Sequence, residues 1–325
     1  MENSPNLTNL ELEAQAFDSQ IEERIANGYI PDLRLAKPCN YFYNNSWRRP
    51  EFVKLDFVEK FDLIHAALTK FLNRTPANSR ILEVGCGPGY LSLELARNGF
   101  QVIGLDLSAK CIEVASSYAD ADPWKTERGA LSYIAGDYFS SPELQVDSFD
   151  AVVFLGALHH FPDQNETLKR ARRLLKPGGL ILANEPVRDC VTRGNAAFAY
   201  MLQTLLSLNN NFHQRQPLVT EMQSIEREVE RTFNTLRYEG ENGESLQSVN
   251  DNESGYAEMW PQLSTLFQQE HFEWRSAFFH EFIGGLRFDE DTNGRVAKFM
   301  REMDRVLVST QVLTPTEFFF VGRKT

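Results

Sequence analysis

The chain has 325 residues, of which 42% are hydrophobic and 24% charged, enough apolar material for one large globular domain. Its 45 acidic against 33 basic residues give a net charge of -12, which repels polyanions and argues against a nucleic-acid partner. The N-terminus lacks a secretion signal and no run of about 18 uncharged apolar residues occurs, so we expect a soluble, cytoplasmic protein with no membrane partner.

The first quarter of the chain predicts helices. Residues 10–27 form an amphipathic pattern, and a second helix is expected near 50–73. The stretch between them carries Tyr41, Tyr43 and Trp47, which either close over a ligand as a lid or pack against the first helices. We therefore treat 1–75 as an N-terminal helical or lid segment.

From residue 80 onward, predicted strands alternate with predicted helices. The expected strands are 81–84, 101–105, 131–135, 151–155 and 180–184, with helices beginning at Tyr90, Ala109 and Asn165. This alternation predicts a parallel sheet covered on both faces, with its core in residues 76–185.

The alternation stops at residues 186–271, where two amphipathic helices and an acidic stretch, 238–255, occur. The acidic stretch predicts a mobile surface loop. Strands at 272–282 and 316–322, with a helix at 295–308 between them, then complete the α/β domain within 272–325. We interpret 186–271 as an insertion that forms an acceptor lid or the face of a homodimer.

A glycine turn follows the first strand. Gly85, Gly87 and Gly89 allow backbone N–H groups at a helix N-terminus to approach a ligand closely. The dinucleotide fingerprint requires a further glycine where Tyr90 stands, which disfavours NAD. Glu83, inside the strand, favours a cationic ligand over a pyrophosphate.

The stretch EVGCGPG (83–89) resembles the first motif of class I S-adenosylmethionine-dependent methyltransferases, E/D-x-G-x-G-x-G, and later stretches resemble the subsequent motifs of the small-molecule subgroup in order. The resemblance implies a Rossmann-like, three-layer αβα sandwich whose seven-stranded sheet is mostly parallel with an antiparallel last strand. It also implies S-adenosyl-L-methionine as cofactor and S-adenosyl-L-homocysteine as product.

The resemblance also implies which residues contact the cofactor. Asp106 accepts hydrogen bonds from the ribose hydroxyls, Asp137 lies near the adenine amine and Tyr138 lies beside the adenine ring. The full implied set is Glu83, Gly85, Cys86, Gly87, Asp106, Leu107, Asp137, Tyr138 and Leu155. The four cysteines are scattered without Cys-x-x-Cys spacing, so neither a disulfide framework nor a metal site is predicted.

His159 and His160 follow the fourth predicted strand, at the sheet edge where ligands bind in such folds. Either one of them removes a proton from the acceptor as a catalytic base, or both line the methionine side of the cofactor and support the loop. Glu185 is a candidate for the acceptor side, or an acid at a helix start.

We expect methyl transfer to a hydroxyl or carboxyl of a small organic or natural-product acceptor. The alternatives are N-methylation of a small molecule or peptide, and a non-catalytic cofactor-binding or scaffold protein. An NAD-dependent oxidoreductase is the remaining rival.

Overall fold

The computed structural model describes residues 7–37, 39, 53–240, 243–251 and 254–325. Tyr41, Tyr43 and Trp47 lie outside the described residues, so both alternatives for them, a lid or packing against the first helices, stay predictions.

A seven-stranded sheet forms the centre of the fold. Its strands are β1 (Arg80–Val84), β2 (Gln101–Asp106), β3 (Leu131–Ala135), β4 (Phe149–Leu155), β5 (Leu175–Pro186), β6 (Gln268–Arg275) and β7 (Glu317–Arg323). They lie in the order β3-β2-β1-β4-β5-β7-β6, with β1 to β5 parallel and β7 antiparallel to both β5 and β6. The predicted fold class is confirmed.

Helices lie against this sheet and in the segments that extend from it. They are α1 (Asn9–Ala26), α2 (Val58–Phe71), α3 (Tyr90–Arg97), α4 (Ala109–Asp120), α5 (Gln164–Leu174), α6 (Arg193–Ser207), α7 (Met222–Leu236), α8 (Tyr256–Leu266), α9 (His280–Ile283) and α10 (Glu290–Ser309). No helix in the described part of the chain combines the length and apolar character needed to cross a bilayer.

Successive residues of β1 face opposite layers, because strand side chains alternate. Ile81 packs with α2 and α3, including Ile64 and Leu91, whereas Leu82 packs with α5, including Leu168. Two hydrophobic cores therefore sandwich the sheet. Because β1, β2, β4 and β5 are parallel, their carboxyl ends lie along one edge.

The segment between β5 and β6 carries α6, α7 and α8, with α6 and α7 packed around a third apolar cluster. The prediction of a mobile surface loop at 238–255 is wrong for Ser248, Asp251 and Ser254, which are buried. Their polar groups find partners inside the protein: Ser248 Oγ donates to Glu13, and Ser254 N donates to the carbonyl of His159. This part of the 238–255 segment is therefore packed against the protein, although its composition is acidic and polar.

The predicted strand at 272–282 is half correct. β6 ends at Arg275, because Ser276 adopts a positive φ of 45° and the carboxylate of Asp304 accepts the backbone N–H groups of residues 277–279. These groups are consequently unavailable for strand pairing, and α9 follows. Because β6 begins at Gln268, the predicted boundary at 271 falls inside a strand.

Candidate active site

The glycine turn lies between β1 and α3. Gly85 has a φ of 71°, and a Cβ at this position would stand 2.5 Å from Cβ of Ala157, so only glycine fits. Gly87 has a φ of 50°, and no described atom comes within 4 Å of where its Cβ would be. The turn therefore presents its backbone to open space at the sheet edge.

Asp106, the last residue of β2, connects this turn to the next one. Its Oδ2 accepts a hydrogen bond from Gly87 N at 2.7 Å, and its Oδ1 accepts one from Ser108 N at 2.8 Å. The side chain is 8% exposed, and burial raises the pKa of its carboxyl to about 6 despite these two bonds. The carboxylate is thus held rigidly where the resemblance expects ribose hydroxyls.

Glu83 lies beneath the same turn. It is 2% exposed and accepts a hydrogen bond from Ser92 Oγ, and burial raises the pKa of its carboxyl to about 8. A positive charge arriving nearby favours the ionised form of such a group. In the ligand-free protein Glu83 is therefore mostly protonated at neutral pH, and a bound cation would favour its ionised form.

Three further predicted residues lie at neighbouring strand ends. Leu107 and Leu155, at the carboxyl ends of β2 and β4, are half-buried, and Asp137 Oδ1 accepts a hydrogen bond from Phe139 N at 3.1 Å. Their side chains are partly accessible at the edge that carries the glycine turn. Contact with a cofactor stays a prediction for all three.

Two predicted residues have side chains directed into the protein. Cys86 is buried and burial raises the pKa of its thiol, so only its backbone can serve a ligand. All four cysteines are described, and none forms a disulfide. Tyr138 is 2% exposed, and its ring packs against Phe154 and Phe161 in the core. In the ligand-free protein the Tyr138 side chain is therefore part of the core, and its place beside adenine stays a prediction.

Glu185, near the end of β5, anchors the loop after β4. Its carboxylate accepts hydrogen bonds from the backbone N–H groups of Ala157, Leu158 and His159 at 3.1, 3.0 and 3.4 Å. It also lies 2.8 Å from His159 Nδ1 and is 0% exposed. The acceptor-side role considered for Glu185 is therefore corrected to that of a buried anchor.

The two histidines differ in charge. Burial lowers the pKa of His159, but Asp251 and Glu185 outweigh it and raise this pKa to about 9, so His159 is protonated at neutral pH. Burial and the neighbouring charge of His159 lower the pKa of His160, whose Nδ1 lies 2.9 Å from Glu13 Oε1. In the ligand-free protein His160 is therefore the member of the pair able to accept a proton.

Sequence reasoning missed three acidic residues that complete the site: Glu13, Asp18 and Asp251. Helix α1 extends along the sheet edge, since Asp18 Oδ1 accepts from Ser108 Oγ at 2.5 Å while Glu13 accepts from Ser248 Oγ at 2.8 Å. Polar residues on an amphipathic helix or in an acidic loop normally face solvent, so no local signal distinguished these three.

The sheet order, the glycine turn after β1 and the carboxylate after β2 together define a Rossmann-like protein that binds a nucleoside-containing cofactor. Residues 57–277, more than half of the chain, match the family model described as "Methyltransferase domain". The chain belongs to this family, whose methyl donor is S-adenosyl-L-methionine. The predicted family and cofactor are confirmed.

Two relatives illustrate the sequence similarity. The ubiquinone biosynthesis O-methyltransferase of Xanthomonas axonopodis pv. citri (strain 306) is 35% identical over 125 residues, which cover 38% of this chain and 48% of the relative. The enzyme of that name from Vibrio cholerae serotype O1 (strain M66-2) is 37% identical over 101 residues, which cover 31% and 39%. The chain thus spans about half the length, or less, of these curated relatives.

Two solved structures share the fold. The geranyl diphosphate C-methyltransferase of Streptomyces coelicolor A3(2) superposes with a TM-score of 0.52 at 11% identity, covering 99% of this chain and 100% of that one. The [4+2]-cyclase SpnF superposes with a TM-score of 0.50 at 15% identity, covering 98% and 96%. One of the two is described as a cyclase, so the fold alone does not specify the reaction.

Proposed function

We propose that this chain transfers the methyl group of S-adenosyl-L-methionine to a hydroxyl or carboxyl oxygen of a small organic acceptor. One observation carries the proposal: the glycine turn, Asp106 and the His159–His160 pair occupy one edge of the sheet, at the ends of β1, β2 and β4. A cofactor held by the first two would direct its methyl group toward the third.

The cofactor side follows from the charges and the space at the turn. The open space in front of Gly87 admits the cofactor, and the carboxylate of Asp106 accepts hydrogen bonds from its ribose hydroxyls. The ammonium and sulfonium charges of the cofactor would favour the ionised form of Glu83, which in turn attracts them. Asp137, Leu107 and Leu155 border the adenosine, and Cys86 contributes its backbone alone.

Methyl transfer requires alignment of the acceptor oxygen with the S–C bond more than it requires acid–base catalysis. The acceptor oxygen attacks the methyl carbon in line with the S–C bond from about 3 to 3.5 Å, and the sulfur leaves with the bonding electron pair as a neutral thioether. A hydroxyl acceptor must also lose its proton. We propose that the His159–His160 pair lies beside the acceptor, with the uncharged ring of His160 facing the proton and His159 supporting the loop.

An enclosed site supports a small acceptor. Helix α1 and the segment 243–251 meet over the loop after β4, through the bonds from Gln20 Nε2 to Gln247 O at 2.9 Å and from Asn250 N to Glu13 at 2.9 Å. A site covered by these two segments suits a small molecule, which the protein can surround. An oxygen acceptor is supported by the relatives, which are named O-methyltransferases.

Incubation of the protein with methyl-deuterated S-adenosyl-L-methionine and a metabolite extract tests the proposal. The expected result is a product, identified by mass spectrometry, that carries a CD₃ group on oxygen. A CD₃ group on nitrogen would establish the alternative N-methyltransferase. Cofactor binding without any labelled product across extracts would instead support a non-catalytic binding protein.

A further inference from the structure

We propose that His159, His160 and Asp251 bind one divalent transition-metal ion. One ring nitrogen of each histidine and one carboxylate oxygen of Asp251 all lie within 4.8 Å of one another. The distance from His159 Nε2 to Asp251 Oδ1 is 3.6 Å, close to the ~3.4 Å that separates two ligands of a tetrahedral ion with bonds of about 2.0 to 2.1 Å. Two imidazoles with one carboxylate suit Zn²⁺ and its first-row neighbours, whereas Mg²⁺ and Ca²⁺ prefer oxygen ligands throughout.

Both histidines have a carboxylate close to Nδ1, the position at which metal-binding histidines usually have an outer partner. Glu185 Oε2 lies 2.8 Å from His159 Nδ1, and Glu13 Oε1 lies 2.9 Å from His160 Nδ1. A carboxylate at Nδ1 orients the ring and leaves Nε2 as the nitrogen available to an ion. The two carboxylates come from distant parts of the chain. The hydrogen bond is formed at His159, whereas His160 Nδ1 lies within reach of Glu13 without hydrogen-bond geometry.

Asp251 supplies an independent sign of a missing partner. The residue is 5% exposed, and its Oδ2 is buried without a hydrogen-bond partner within the described ranges. Buried carboxylate oxygens are rarely left unsatisfied. An ion between Asp251 and the histidines would provide the missing interaction.

The charge count also favours a dication. Glu13, Glu185 and Asp251 contribute three negative charges around the two rings, and the Arg188 guanidinium, whose charge is felt at Asp251, contributes one positive charge. With neutral rings this leaves two negative charges in a buried volume, which a divalent cation balances. Protonation of the two imidazole rings would balance these negative charges without an ion.

The ion would deepen the proposed function, and this part rests on that function. A metal-bound acceptor oxygen loses its proton to water more readily, and polarisation by the ion then replaces proton acceptance by His160. The remaining bond changes are those given above: the O–C bond forms, and the S–C bond breaks with its electron pair on sulfur.

Cobalt titration tests the site without knowledge of the acceptor. The full-length protein, freed of metal with a chelator, is titrated with Co²⁺ and followed by visible absorption. We expect one equivalent to bind with the d–d bands of a four- or five-coordinate ion, and Zn²⁺ to displace it. Asp251→Asn and His160→Asn change direct ligands, so each should weaken binding at least as much as the ~10- to 100-fold that loss of an outer partner costs. His271→Asn, which alters a partly exposed histidine of β6, is the matched control and should bind as the wild type does.

Two results would overturn the proposal: no saturable cobalt spectrum in the wild-type protein, or unchanged affinity in both ligand variants. Far-UV circular dichroism checks that each variant is folded, and the wild-type titration decides the question even where a variant fails to fold. The experiments distinguish failure of the proposed metal site from failure of the proposed function. Stoichiometric cobalt binding without methyl transfer supports the metal site alone, whereas methyl transfer without cobalt binding removes it.

Discussion

Asp106 provides the sharpest test of how the cofactor is held. Its two oxygens are fixed by Gly87 N and Ser108 N at 2.7 and 2.8 Å, which leaves their remaining lone pairs for two ribose hydroxyls. A hydrogen bond to a charged group contributes about 1.5 to 3 kcal/mol, so the loss of two bonds should cost about 3 to 6 kcal/mol of binding free energy. We therefore expect Asp106→Ala to raise the Kd for S-adenosyl-L-methionine at least ~100-fold.

Asp106→Asn should have a smaller effect, because the amide keeps one acceptor oxygen but directs its NH₂ toward a backbone donor. Isothermal titration calorimetry with S-adenosyl-L-methionine measures both variants. Asp120→Asn is the matched control, because Asp120 is exposed at the end of α4 and its side chain is 2.6 Å from Lys125. Unchanged affinity in a folded Asp106→Ala protein would refute the reasoning.

Three further predictions concern the turn and its supports. The raised pKa of Glu83, about 8 against an ordinary 4.5, means that the folded state retains a proton that the unfolded state loses first. The ligand-free protein should therefore lose stability as pH rises from about 4.5 to 8, and urea unfolding of Glu83→Gln should show a flatter pH profile than the wild type. Gly85→Ala adds a clash with Ala157 to a positive φ and should destabilise the protein by about 1 to 3 kcal/mol more than Gly178→Ala does. Gly178 is the control because its φ is 77° and no described atom lies within 4 Å of where its Cβ would be. Equal unfolding midpoints for the two variants would contradict this prediction. Glu185→Gln should lower the free energy of unfolding by about 3 to 5 kcal/mol, because it leaves protonated His159 and three backbone donors poorly paired. A thermal midpoint like that of the wild type would show that the carboxylate is not an anchor.

The central strands could be predicted because each is a short apolar run bounded by polar residues, and buried parallel strands have few other sequence forms. The glycine turn was equally readable, since the conformation at Gly85 and its approach to Ala157 require glycine. At these positions the local sequence pattern and the tertiary structure favour the same backbone conformation.

The acceptor side was less readable because its contacts are distant in sequence. Asn250 N donates to Glu13 across 237 positions, and no local pattern indicates such a partner. At Tyr138 the position after β3 fits the motif, but the sequence does not reveal that its ring packs against Phe154 and Phe161. A homodimer through the 186–271 insertion stays a prediction.

A crystal structure of the protein with S-adenosyl-L-homocysteine tests the central claim most directly. We predict that the ribose hydroxyls lie on Asp106, that the adenine extends toward Asp137, and that the sulfur faces the His159–His160 pair. Side chains filling the space in front of Gly87, or the ligand bound at any other edge of the sheet, would contradict it.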